Sequence, residues 1–177
     1  GWELHHPMNK MNKLYESLME IGKQHNIVNF GTYAVNSLRI EKAYKSWGSE
    51  LTGEISLIEA DMHRFFNLQK KSNFIGAEVL KEKLEKGIAI KIVYLEVEVE
   101  DADPMGNEPV YLNNKIVGVV TSGGYGFRVN KSLAFAYVES DLVEQGTEFD
   151  IQIQGKKRKA IALKNVAYDQ KNIRLIS

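Results

Sequence analysis

The chain has 177 residues and is 44% hydrophobic, enough to bury a real core in one domain or two small ones. Its 23 Lys plus Arg equal its 23 Asp plus Glu, which leaves no basic footprint for a phosphate backbone and argues against nucleic acid as a partner. There is no Cys, hence no disulfide, thiolate ligand or thiol nucleophile, and no apolar run approaches the roughly 20 residues that span a bilayer, so a soluble protein without membrane partners is expected.

The opening Gly1-Trp2-Glu3-Leu4 has neither an initiator Met nor a leader, and the expectation is a chain cut from a longer polypeptide. A short strand-like start precedes Pro7. Over residues 8–23 the apolar positions Met11, Leu14, Tyr15, Leu18 and Ile21 recur at helical spacing, which predicts an amphipathic helix ended by His25-Asn26. Residues 27–31 read as a connector, and Thr32 can cap a second helix that runs to about Glu41 and carries Arg39 near its end. Residues 57–66 are also helix-like, whereas 67–73 are polar and without periodicity. The expected domain boundary falls there, dividing the chain into 1–73 and 74–177.

Beyond Gly76, one short helix over 78–86 is closed by Gly87, and strand signals follow almost to the end. Val93, Leu95, Val97 and Val99 alternate with Tyr94, Glu96, Glu98 and Glu100, predicting one buried and one wet face. Asp103-Pro104-Met105-Gly106-Asn107 reads as a turn, and Asn113-Asn114 suits a tight hairpin because Asn tolerates positive φ. Further strands are predicted over 133–138, 149–154 and 159–166. The fold class is therefore α+β, with a small antiparallel β-barrel or sandwich at the carboxyl end.

Two segments carry a family resemblance: Asn36-Ser37-Leu38-Arg39-Ile40-Glu41-Lys42-Ala43-Tyr44-Lys45-Ser46-Trp47-Gly48, and the later Val117-Gly118-x-x-Thr121-Ser122-Gly123 with Lys131-Ser132-Leu133-Ala134-Phe135-Ala136-Tyr137-Val138. Glu59-Ala60, Asn73-Phe74-Ile75-Gly76 and the 101–108 segment continue it in order. The chain resembles the carboxyl-terminal portion of the glycine-cleavage T-protein (aminomethyltransferase) superfamily, most nearly the version fused behind dimethylglycine and sarcosine dehydrogenases.

The resemblance implies a folate-binding region followed by a carboxyl-terminal β-barrel, tetrahydrofolate as the cofactor that accepts a one-carbon unit, and a cytoplasmic or mitochondrial setting. It places the catalytic Asp and the pterin-contacting Glu in an amino-terminal half that would precede Gly1, and any FAD there too, so the chain alone is expected to be inactive; the alternative reading is a non-catalytic barrel module that docks the folate unit onto a larger flavin dehydrogenase. The implied partners are folate and that amino-terminal half; apart from the resemblance, a half-domain with apolar edges near Leu4 and the first helix is expected to pair with a second copy. The cofactor-binding residues it implies are Arg39, Trp47, Tyr44 and Glu41. A folate's glutamate carboxylates call for a guanidinium, and its flat ring and benzoyl spacer call for aromatic surfaces. Trp47 stands where the T-proteins often carry Tyr. Arg39 has an alternative reading, pairing with Glu41 or Glu50 to pin the loop, and Tyr44 also suits a structural position.

Other features read more plainly. Gly123-Gly124-Tyr125-Gly126 is not followed by a helix, so it fits a loop or hairpin between barrel strands better than a phosphate cradle. Glu59 and His63 have helical ligand spacing but lack a third ligand, and a metal is not expected. Lys156-Lys157-Arg158-Lys159 reads as a solvated hairpin turn, with the grip of a folate polyglutamate tail as its alternative. Gln170 replaces a Pro found in relatives, which weakens any site role for Tyr168 or Arg174. The branch of the superfamily that serves iron–sulfur assembly carries a Cys in the 42–48 segment and is set aside.

Overall fold

The computed structural model describes residues 2–70 and 74–176 and divides into two compact units, residues 1–32 and 33–177. The expected boundary at Asn73 lies outside the described residues.

In the first unit, a 3-10 turn at Met8–Lys10 leads into α1, Met11–Gly22, and a second 3-10 turn at Lys23–His25. Asn26 stops the helix in the left-handed conformation with φ 55°, a state that Asn tolerates. The chain then folds back, and the Ile27 N–H donates to the Gly22 carbonyl at 3.1 Å. A β-carbon on Gly22 would meet Ile27 Cγ2 at 2.5 Å, so the reversal depends on the missing side chain. The strand-like start expected before Pro7 is irregular backbone.

The second unit is built on six antiparallel strands that close into a barrel: β1 (Ile90–Val97), β2 (Pro109–Leu112), β3 (Lys115–Gly126), β4 (Lys131–Glu139), β5 (Glu148–Ile153) and β6 (Lys156–Ala162), in the spatial order β1-β4-β3-β2-β5-β6. Closure leaves no unpaired edge. Its core is packed by Val93, Leu95, Val97, Val110, Val120, Ala134, Ala136, Val138, Phe149 and Ile151, among others, as the alternation in β1 predicts. Helices α2 (Thr32–Glu41), α3 (Ala77–Lys86, ended by Gly87 at φ 83°) and α4 (Ile173–Ile176) complete the α+β fold.

Four expectations are corrected. Residues 57–66 are turns with only a 3-10 helix at His63–Phe65, because this segment's polar groups are committed elsewhere. The Glu59 carbonyl accepts the Ile92 N–H at 2.9 Å, and the Glu59 carboxylate bonds the Ser56 N–H and hydroxyl, each at 2.7 Å. Tyr94 is not on a wet face: it joins Ile40, Ile92, Leu133, Phe135 and Tyr137 in a second core cluster outside the barrel. The glycine-rich 123–126 segment lies within β3 rather than in a loop. Lys156 to Lys159 likewise belong to β6. The turn is Gln154-Gly155, both at positive φ, and the lysines and Arg158 pair along the strand faces.

β4 shows why the second cluster exists. Ala134, Ala136 and Val138 point into the barrel while Leu133, Phe135 and Tyr137 point out, and all six are at most 6% exposed. A strand covered on both faces needs a second layer, which the end of α2 and the loop after it supply through Ile40 and Ala43.

Gly118 tests the tightness of this packing. An added β-carbon would lie 2.2 Å from the Tyr137 carbonyl oxygen and 2.7 Å from Val138 Cγ1. Gly118→Ala is expected to cost about 1–3 kcal/mol, the usual range for overpacking, read as a lowered urea midpoint at constant slope.

Candidate functional site

The segment from α2 to Leu51 is organised around one buried carboxylate. Glu50 is fully buried. Its Oε1 accepts the Thr121 hydroxyl at 2.7 Å and the Ser122 hydroxyl at 2.5 Å, and its Oε2 accepts the Ser46 N–H at 2.7 Å and Arg39 Nη1 at 3.1 Å. Two adjacent residues of a regular strand face opposite sides. Thr121 and Ser122 reach the same oxygen because the β3–β4 register shifts between Val120 and Ser122, a bulge that turns both hydroxyls toward the carboxylate.

Arg39 completes the clamp. Nε and Nη2 donate to Asn36 Oδ1 at 2.9 and 2.6 Å, Nη2 also to Ser122 Oγ at 2.8 Å, and Nη1 to the Tyr44 carbonyl at 3.2 Å as well as to Glu50. The guanidinium carries five N–H groups, and these five contacts match that inventory. Of the two readings of Arg39, the pairing with Glu50 is the one present in this geometry. The side chain keeps 14% exposure at the rim.

Helix α2 lies close against β3. Asn36 Nδ2 donates to the Gly123 carbonyl at 3.1 Å and the Ser37 hydroxyl to the Tyr125 carbonyl at 2.8 Å. A β-carbon on Gly126 would meet Glu41 Cγ at 2.8 Å and one on Gly124 would lie 3.3 Å from Asn36 Nδ2, so these two glycines serve helix-to-strand approach, while Gly123 makes room for Pro104. Two tyrosines from the outer barrel wall hold the other side: Tyr94 donates to the Ile40 carbonyl at 2.8 Å and Tyr137 to the Glu50 carbonyl at 2.9 Å. Burial pushes both phenols well above the ordinary tyrosine range, with nearby carboxylates adding to it, so they remain neutral donors.

The sequence-predicted residues occupy distinct places. Glu41 is 1% exposed and its Oε1 accepts the Arg128 N–H at 2.6 Å. Trp47 is 79% exposed on the loop around Glu50, where Gly48 turns with φ 85°. Tyr44 is half-exposed and lines a groove of about 850 Å³ bordered also by Lys45, Arg64, Phe65, Lys91, Phe135 and Lys164. Arg39 and Tyr44 are brought together, whereas Trp47 does not line this groove. Sequence reasoning missed Asn36, Thr121 and Ser122. The Asn36-x-x-Arg39 spacing on one helix face was a usable signal. Glu59 is held by Lys83 at 2.9 Å, and His63 faces Asp61 at 3.5 Å.

The closed six-stranded barrel and the helix joined to it by a buried carboxylate–guanidinium clamp form a fold class whose family is read from comparison with known proteins. Residues 91–169 match the family model of the glycine cleavage T-protein C-terminal barrel domain, and residues 1–70 match that of the GCVT N-terminal domain. The chain belongs to the glycine-cleavage T-protein superfamily. It is 41% identical over 163 residues to the mitochondrial dimethylglycine dehydrogenase of Homo sapiens, covering 92% of this chain and 19% of that protein. It is 31% identical to the aminomethyltransferase of Geobacillus sp. (strain WCH70), covering 90% of this chain and 44% of that one. Aminomethyltransferase T of Bartonella henselae superposes with a TM-score of 0.82 at 26% identity, over 93% of this chain and 45% of that one. The chain thus spans less than half the length of these relatives.

Removing Glu50 leaves a guanidinium largely out of water without its counter-charge. Glu50→Ala is expected to cost about 3–5 kcal/mol and Arg39→Ala a comparable amount. The double variant should fall well short of their sum, measured by denaturant unfolding in a double-mutant cycle. For Glu59, burial raises the carboxyl pKa, but the bonds from Lys83 and from Ser56 outweigh it and hold it below its ordinary 4.5. A depressed folded-state pKa contributes stability above the unfolded value that is lost as pH falls through the folded one. Stability should therefore drop below about pH 4.5, and Glu59→Gln should flatten that part of the pH profile.

Proposed function

We propose that this chain is the tetrahydrofolate-binding portion of a folate-dependent one-carbon transferase or demethylase, carried by a parent of the dimethylglycine or sarcosine dehydrogenase kind. The observation that carries the reading is that both family models match, in chain order, over residues 1–70 and 91–169. On this reading residues 1–73 finish the folate-binding domain and 74–177 form the barrel domain. When bound, tetrahydrofolate supplies the nitrogen that accepts the one-carbon unit, and the parent's remaining portion supplies the acid–base carboxylate and any flavin.

The residues present fit a flat, acid-tailed ligand. Trp47 offers an uncovered indole and Tyr44 a half-exposed ring for stacking. Arg39 serves a tail carboxylate only by exchanging one of its present acceptors, since its N–H groups are already engaged, and its first role is to set the loop that displays both rings. Glu41 fixes the 128 turn beneath that loop.

Isothermal titration of the chain with tetrahydrofolate under reducing conditions tests this. Binding is expected, weakened about tenfold by Trp47→Ala, the worth of one aromatic stack, with an unchanged melting temperature. Arg39→Ala should lower both affinity and melting temperature. Absence of any binding heat by the native chain overturns the assignment of the folate site to these residues.

A further inference from the structure

Of the four half-buried lysines among the described residues, three have an acceptor and one has none. Lys42 is held by Asn172 Oδ1 at 2.6 Å and the Asp169 carbonyl at 2.8 Å, Lys83 by Glu59 at 2.9 Å, and Lys91 lies 3.8 Å from Asp61. Lys45, on the loop after α2, makes no hydrogen bond or ion pair among the described residues. Its Nζ lies 5.9 Å from the centre of the Phe135 ring, and its side chain borders the groove of about 850 Å³. The nearby carboxylates are committed, Glu50 to the donors of its clamp and Asp61 to Lys91 and His63. Burial lowers the Lys45 pKa; Asp61 opposes the shift, Arg64 adds to it and Glu50 opposes it. An ammonium kept from water without an acceptor gives up its proton more readily than a solvated one, which frees a lone pair beside an open cavity.

The neighbours of this amine define what it can meet. A groove of this volume admits a small molecule to Nζ, and Phe135 gives the approach an apolar side. Arg64 borders the same groove and stacks over Phe65 at 4.8 Å, and among the described residues it makes no hydrogen bond or ion pair. Its charge acts on Lys45, so the two cations are neighbours at one cavity. A guanidinium with its fork free takes a carboxylate through two parallel bonds. A desolvated amine next to a cation is the arrangement that makes lysine a nucleophile toward a carbonyl carbon. Together they match a short oxo acid, which carries a carboxylate and a ketone or aldehyde carbonyl on one small skeleton.

We propose that Lys45 is a carbonyl-capturing amine that forms a reversible Schiff base with a short oxo acid, whose carboxylate Arg64 holds. The Nζ lone pair attacks the carbonyl carbon, and a proton passes from nitrogen to oxygen to give a carbinolamine. Its hydroxyl then leaves as water, taking a proton from solvent, as the carbon–nitrogen double bond of the iminium forms. One water is released and no oxidation state changes, so neither oxidant nor reductant is needed. Neither the amine nor the guanidinium requires a folate for this chemistry.

The test uses the full 177-residue chain and two aldehydes of similar size, glyoxylate with a carboxylate and acetaldehyde without one. Each is added with cyanoborohydride, which reduces an iminium to a stable secondary amine, and peptide mapping by mass spectrometry reads early labelling at every lysine. Lys45 is expected to be labelled first. Its ratio of glyoxylate to acetaldehyde labelling should exceed that of the exposed lysines of the same chain by at least about tenfold, the equivalent of one charge-assisted contact. Because it is a ratio, this readout is insensitive to the basicity of the amine. Arg64→Gln should return the ratio to that of the exposed lysines, and Lys45→Arg, which keeps the charge without the nucleophile, should leave only their slow labelling. If Lys45 is labelled no faster than exposed lysines by either aldehyde, the capturing amine is overturned. If it is labelled fast but with the ratio of exposed lysines, or if Arg64→Gln leaves a raised ratio unchanged, the oxo-acid site with Arg64 is overturned.

Discussion

Everything around the candidate site depends on a carboxylate that has left water. An ionised side chain with no exposure is tolerated only when its lone pairs are occupied and a counter-charge is near. Glu50 meets both conditions with donors drawn from three places: the Ser46 N–H of its own loop, Arg39 on α2, and the two hydroxyls of the β3 bulge. None of the three is optional, because the loss of one leaves another polar group buried and unmatched. The helix, loop and barrel wall are therefore positioned by one electrostatic requirement as much as by apolar packing. The exposed position of Trp47 follows from it, since the loop closes inward on Glu50 and turns its indole out.

The barrel supplies the other half of this arrangement. Its interior is filled by valines, alanines and isoleucines of ordinary alternation, but its outer wall along β1 and β4 is also apolar, with two phenols at its margin. Those phenols are aimed at the carbonyls of Ile40 and Glu50, the places where the helix end and the loop would otherwise leave acceptors buried. Wall and loop thus satisfy each other's polar groups across an otherwise apolar seam.

How much of this could be read in the chain beforehand varies with the range of the interaction. The α1 stripe, the Asn113-Asn114 hairpin and the inward valines of β1 are local patterns, and the structure has them where the alternation and turn chemistry put them. The 57–66 segment was misread because its periodicity is genuine while its backbone is claimed by Ile92 from the barrel, a partner 33 residues away that no window of sequence contains. The glycine cluster of β3 looked like a loop because its purpose, room for Asn36 and Glu41 at Gly124 and Gly126 and for Pro104 at Gly123, lies on other segments. Around Glu50, Arg39 was visible in the sequence as a candidate partner of that carboxylate. The hydroxyls of Thr121 and Ser122 were not, since nothing in a one-dimensional pattern announces that a bulge will turn two neighbours the same way.

The clamp's contacts are separated by 71 and 72 residues between Glu50 and its hydroxyl donors, and by 87 residues for the Tyr137 bond. Closing loops of this length costs chain entropy, and the bulge that aims both hydroxyls at Glu50 exists only where β3 and β4 have paired. During synthesis, Arg39 and Glu50 would emerge well before the wall that receives them and remain hydrated until β3 and β4 meet. An interaction completed after the folding barrier slows escape from the native state without hastening arrival. A buried ion pair placed this way acts as a latch on an already formed barrel, and the persistence of the site is set by how rarely that latch opens.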